Sequence, residues 1–168
     1  NILKQLVYNG PEVLFAAGGK GYLNHDFNKK GKQNTFRSDK LNLEQILTNE
    51  KRTSLYFYKK DFDKIDTSKY NKVWWLYNGE QDYFPNDFDR PDTVPSLAEM
   101  TAKAISILKH NNNGFVMLVE GSKIDWEAHA NEAIGTLSEF LAFEKAVEVA
   151  INFAAKDKNT AVIIVPDH

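Results

Sequence analysis

The sequence predicts an α/β fold, a three-layer α/β/α sandwich with a largely parallel central sheet, present over residues 1–168 as one partial domain. Three observations carry that expectation. The stretches "GFVMLVEG" and "NTAVIIVPDH" are apolar at every central position, as strands covered on both faces are. Between them an amphipathic pattern runs from about Leu137 to Lys156, and strand–helix–strand is the unit of parallel sheets. A third apolar strand, Val13 to Ala16 in "PEVLFAAGGKGYL", runs into a turn rich in glycine at Gly18, Gly19 and Gly21.

The remaining elements follow in order. "LNLEQILTNEK" sets Leu43, Ile46 and Leu47 at helical spacing. "TSLYFYKKDF" and "NKVWWLYNG" are aromatic, β-branched runs suited to strands, and Trp74, Trp75 and Tyr77 are expected to pack there. Residues 78–95 turn polar and proline-containing, which predicts a long loop. Its Tyr83, Phe84 and Phe88 are left open between a substrate cleft and a subunit partner. "PSLAEMTAKAISILKHNNNG" predicts a helix, with Ser96 and Glu99 forming a capping box. Leu97, Ala104, Ile105 and Leu108 make its buried stripe, Asn111 to Gly114 its stop, and His110 suits the dipole of its last turn. The later helix is expected to bury Leu137, Phe140, Leu141, Val147, Ile151 and Ala154. His25 reads as a solvated loop residue.

Composition bounds the function. With 42% apolar and 26% charged residues, the chain is globular rather than disordered. A formal net charge of -2 and no basic stripe point away from nucleic acid. No apolar run reaches membrane-spanning length. The absence of cysteine removes disulfides, thiolate nucleophiles and cysteine zinc sites together. The chain opens at Asn1 and stops directly after an apolar strand, which leads us to expect a piece of a longer protein.

Chemistry concentrates at two strand ends. "FVMLV" ends in Glu120, and "AVIIV" is followed by Pro166, Asp167 and His168. Ligands bind beyond the carboxyl ends of strands in open α/β sheets. Asp125 and His129, four apart just past Glu120, share one side of a helical turn. Carboxylate and imidazole donors suit zinc, and an added carboxylate suits magnesium. Each piece alone has a plainer reading: a surface pair, a local cap, a turn carboxylate facing water.

The stretch "FVMLVEGSKIDWEAHANEAIGTLSEFLAFEKAVEVA" followed by "NTAVIIVPDH" resembles the alkaline phosphatase family. That family's pattern is V-E-G-x-x-I-D, a His four residues on, and a later T-A-D-H. "PSLAEMT" and "EVLFAAGGKGYL" resemble its segments too, and the likeness is thin between about Asn24 and Arg90. The resemblance implies that Glu120 binds magnesium, that Asp125 and His129 bind one zinc, and that Asp167 and His168 bind a second. It places Trp126 in the lining of the site. It implies phosphomonoester hydrolysis through a phosphoserine intermediate, two zinc ions and one magnesium in the complete enzyme, a periplasmic or secreted location, and a possible homodimer. The departures are specific. Pro166 stands where the family has Ala, and no Asp-Ser-Ala nucleophile motif occurs; "IDTSK" at Ile65 to Lys69 comes nearest, in a polar loop. No catalytic residue is therefore assigned in this chain, and the serine is expected upstream. Two other readings stay open: a catalytically incomplete metal-binding module, and a superfamily phosphodiesterase or sulfatase.

Overall fold

The computed structural model describes residues 2–25, 28–29, 32–33, 37–79 and 83–166. These fall into two compact units, residues 1–84 and 85–168.

The first unit is built on a parallel three-stranded sheet. Helix α1 (Ile2–Asn9) precedes strand β1 (Val13–Ala17) and a short helix α2 (Gly19–Leu23). Two short antiparallel strands, β2 (Asn28–Lys29) and β3 (Lys32–Gln33), precede helix α3 (Leu43–Gln45), which continues as a π-helical turn over Ile46–Glu50. Strand β4 (Ser54–Tyr56), helix α4 (Lys59–Asp63) and strand β5 (Val73–Tyr77) complete it. The sheet order is β1-β5-β4, with Val13 and Ser54 both opposite Val73.

Strand β5 is central, so its side chains are covered on both faces, and Val73, Trp74, Trp75 and Leu76 are all buried. Each tryptophan also satisfies its indole N–H: Trp74 donates to the Pro11 carbonyl at 3.0 Å and Trp75 to Tyr58 at 3.1 Å. Burying those rings therefore leaves no polar group unpaired. Val7, Leu23, Leu43, Leu47 and Phe57 close one core against Trp74 and Leu76. On the other side, Phe62 meets Phe15 and Trp75 edge to face.

The glycine-rich turn after β1 is itself the start of α2. Gly18 holds φ 115° as the N-cap and Gly19 holds φ 44°, a region closed to most side chains. A β-carbon on Gly19 would also press the Asn78 side chain, whose Oδ1 accepts from the Lys20 N–H at 3.1 Å.

The second unit is helical. A 3-10 turn (Asp87–Asp89) interrupts the expected 78–95 loop; residues 80–82 lie outside the described residues. Helix α5 (Leu97–Leu108) begins with the predicted capping box, Ser96 accepting from the Glu99 N–H at 3.1 Å and Glu99 accepting from the Ser96 N–H at 2.7 Å. Ala104, Ile105 and Leu108 are buried as expected, and His110 lies just past the last helical residue. Helix α6 (Lys123–His129) and the long helix α7 (Ala133–Asp157) follow, with α7 packed along both α5 and α6.

Two expectations are corrected here. The buried face of α7 is Gly135, Glu139, Ala142 and Ala146, whereas Leu137, Phe140, Leu141 and Ile151 are exposed. Positions 135, 139, 142 and 146 form one helical stripe, and small residues along it let a neighbouring helix approach closely. The stretches Gly114–Glu120 and Ala161–Pro166 form no strand among the described residues. Val116 is 100% and Leu118 92% exposed, and Ile163 is 82% exposed. Residues 115, 117 and 119 are partly covered while 116, 118 and 120 are open, which is the alternation of an extended chain. A strand needs hydrogen-bond partners alongside, and neither segment has a ladder here.

Candidate metal centre

Helix α6 carries two of the candidate ligands, Asp125 and His129. The sequence Gly121–Ser122 turns the chain out of the extended segment, and the Ile124 N–H bonds back to the Gly121 carbonyl at 3.1 Å. Gly121 is required there for space, since a β-carbon would sit 2.9 Å from the ring of Phe143. The helix then runs for seven residues and stops at Asn131, which takes the left-handed conformation (φ 58°) that Asn tolerates better than most.

Within that helix, Asp125 Oδ1 and His129 Nε2 are 3.5 Å apart. Two ligands each about 2.0–2.1 Å from a tetrahedral zinc are separated by roughly 3.4 Å, so the pair fits a shared ion. The same distance makes an ordinary ion pair once His129 is protonated. Both side chains reach solvent, at 38% exposure for Asp125 and 81% for His129. Glu120 is exposed at the end of the extended segment. The structure does not gather Glu120, Asp125 and His129 into one group: among the described residues no three His, Cys, Asp or Glu side chains are placed to hold a metal. Asp167 and His168 lie outside the described residues.

Trp126 is next to Asp125 in sequence and 47% exposed, with the Lys123 ammonium 4.6 Å from its ring centroid. A cation over an indole face holds the ring in place.

Behind the helix lies a polar cluster that spacing alone does not disclose. Glu139 on α7 is 9% exposed, and its Oε1 accepts from the Asp87 backbone N–H at 2.6 Å. Burial raises its pKa, and the charges of Asp87 and Glu127 push the same way against the Asp87 N–H bond and Lys123. Glu127 Oε1 accepts from Asn86 Nδ2 at 2.8 Å, while Asn86 Oδ1 is buried without a partner. The available signal was Glu139 standing in the small-residue stripe of α7.

The stretch nearest the missing nucleophile motif, Ile65 to Lys69, has a structural explanation. Ser68 donates its hydroxyl to Asp66 Oδ1 at 2.6 Å and its N–H to the same atom at 2.9 Å. The Ser68 hydroxyl and N–H hold Asp66 below the ordinary carboxylate range. This is a local turn of the kind Asp and Ser build.

The sequence matches the alkaline phosphatase family over residues 1–168. The chain belongs to that family. It is 37% identical over 155 residues to alkaline phosphatase 4 of Bacillus subtilis, covering 92% of this chain and 30% of that protein. Its fold is similar to that of alkaline phosphatase from the Antarctic bacterium TAB5, with a TM-score of 0.73 and 25% identity over 95% of this chain and 42% of that one. A variant of the TAB5 enzyme with magnesium in its M3 site gives a TM-score of 0.69 at 24% identity, covering 95% and 41%. The chain thus spans about a third of the length of the Bacillus subtilis alkaline phosphatases it matches. The α/β class expected from sequence stands, as part of an alkaline phosphatase-like domain.

Proposed function

We propose that the whole protein is a metal-dependent phosphomonoesterase and that this chain supplies about half of its metal ligands. The observation that carries the reading is the Asp125–His129 pair, 3.5 Å apart on one side of α6 and five residues past Glu120, in a chain of the alkaline phosphatase family. Asp125 offers a carboxylate oxygen and His129 a ring nitrogen to one zinc, Glu120 a carboxylate to magnesium, and Asp167 with His168 a second zinc pair. When bound, these metals supply electrophilic stabilisation of phosphoryl oxygens and a more acidic attacking hydroxyl.

The chain's own residues hold and orient. Trp126, steadied by Lys123, presents a flat apolar surface beside the ligands. The nucleophilic serine and the phosphoserine formed on it belong to residues outside this chain, and the isolated chain is inactive. A periplasmic or secreted location and a homodimer accompany the family reading. Among the described residues no helix is long and apolar enough to cross a membrane.

Hydrolysis of an aryl phosphate by the full-length protein, beside an aryl phosphodiester and an aryl sulfate, tests this. The monoester should be preferred, and chelation should abolish its turnover. Preference for the diester or sulfate would move the protein to another branch of the superfamily; turnover unaffected by chelation would sink the metal reading.

A further inference from the structure

We infer that Glu127 is a positioning residue for the Asp125–His129 pair, acting with Asn86 and Gly135; the inference rests on the metal reading above. Helix α6 is seven residues long, has no side-chain bond at its N-cap and buries none of its residues. So short a helix is marginal by itself, and its rotation about its axis is set by what it packs against, which is α7. Yet Asp125 and His129 must be aimed accurately, because metal–ligand distances tolerate only about 0.2 Å. A rotation of roughly 15° at a side-chain radius of about 5 Å displaces a ligand atom by more than 1 Å.

Glu127 lies two residues from each ligand, which puts it on the opposite side of the helix. That side is the anchored one. Its Oε1 accepts from Asn86 Nδ2 at 2.8 Å, its backbone carbonyl accepts from the Glu132 N–H at 2.9 Å, and its carboxylate rests where Gly135 has no side chain. A β-carbon on Gly135 would collide with that carboxylate. Segment 86–90 is in turn tied to α7, since Asp87 donates its N–H to Glu139 and pairs with Arg90 at 3.0 Å. Arg90 itself donates to the Val94 carbonyl at 3.1 Å. Glu127 thus joins the ligand helix to a fixed support on the side away from the metal.

The test is the zinc affinity of the full-length protein, measured by competition with a chromophoric chelator. Glu127→Ala should weaken zinc binding about 10–100-fold, the range for supporting residues behind metal ligands. Glu127→Gln keeps an oxygen for Asn86 and should restore most of it. Asn86→Ala and Gly135→Ala should weaken binding in the same direction; the nearest atoms to the methyl of the latter all belong to the Glu127 side chain, so it reads the effect even where Glu127→Ala does not fold. Wild-type affinity in folded Asn86→Ala and Gly135→Ala, or equal losses in the Gln and Ala variants of Glu127, would overturn the inference. Asp125→Ala separates the two levels: if it keeps full zinc affinity the metal reading itself fails, and if it loses zinc while Glu127→Ala does not, only the positioning role fails.

Discussion

Glu139 shows how much a single residue can hide in a sequence. It occupies a stripe otherwise made of Gly and Ala, and the structure buries it against the Asp87 N–H. Burial raises its pKa, so the folded state holds its proton more tightly than the unfolded chain does. The sign follows. Above the raised pKa the folded protein carries a buried charge and is less stable than it would be with a neutral group. As pH falls through that value toward the unfolded one, the penalty disappears. The groups facing Glu139 are Asp87, Glu127 and Lys123. Glu139→Gln, whose amide oxygen can still accept from Asp87, should therefore stabilise the full-length protein at about pH 8. The advantage should narrow at about pH 5. Chemical denaturation at both values checks it, and a gap that does not change with pH contradicts it. Asp125 and His129, by contrast, were legible from spacing alone, because four residues on a helix bring side chains together whatever surrounds them.

Elements were legible where the signal is local. The capping box of α5 was readable because Ser96 and Glu99 satisfy backbone groups three residues away. Ser96→Ala should cost about 1 kcal/mol, read as a shift in denaturation midpoint; no shift would mean that tertiary packing alone fixes the start of α5. Strands β1 and β5 were legible from local composition too, β1 as a short apolar run and β5 as an aromatic, β-branched one. Helix α7 was placed correctly but turned the wrong way. Its apolar residues lie on several sides, and size rather than hydrophobicity decides which side meets a helix. Ala146 is 1% exposed in that stripe. Ala146→Leu should therefore destabilise by about 1–3 kcal/mol through overpacking. A neutral effect would show that the small-residue stripe has room to spare.

At the scale of the whole molecule, the misread segments are instructive. Residues 115–119 and 161–165 have strand composition, yet neither forms a ladder among the described residues. Strand character lies in the sequence, but a strand is made by its neighbours. Val116, Leu118, Ile163 and the outer face of α7 are exposed, and apolar side chains exposed together mark surfaces that associate. Expressed alone, the chain should self-associate and bind a hydrophobic dye. A monomer without dye binding by sedimentation would contradict this. The isolated chain should also hold zinc only weakly, because Asp125 and His129 are two protein donors where a catalytic zinc takes three.

We propose that Asp125 and His129 share a catalytic zinc in the full-length protein. The most direct test is zinc content and aryl phosphate turnover measured together on the wild type and on Asp125→Ala. Bound zinc and metal-dependent hydrolysis are expected in the wild type, with both sharply reduced in the variant. Undiminished zinc and turnover in Asp125→Ala would contradict it.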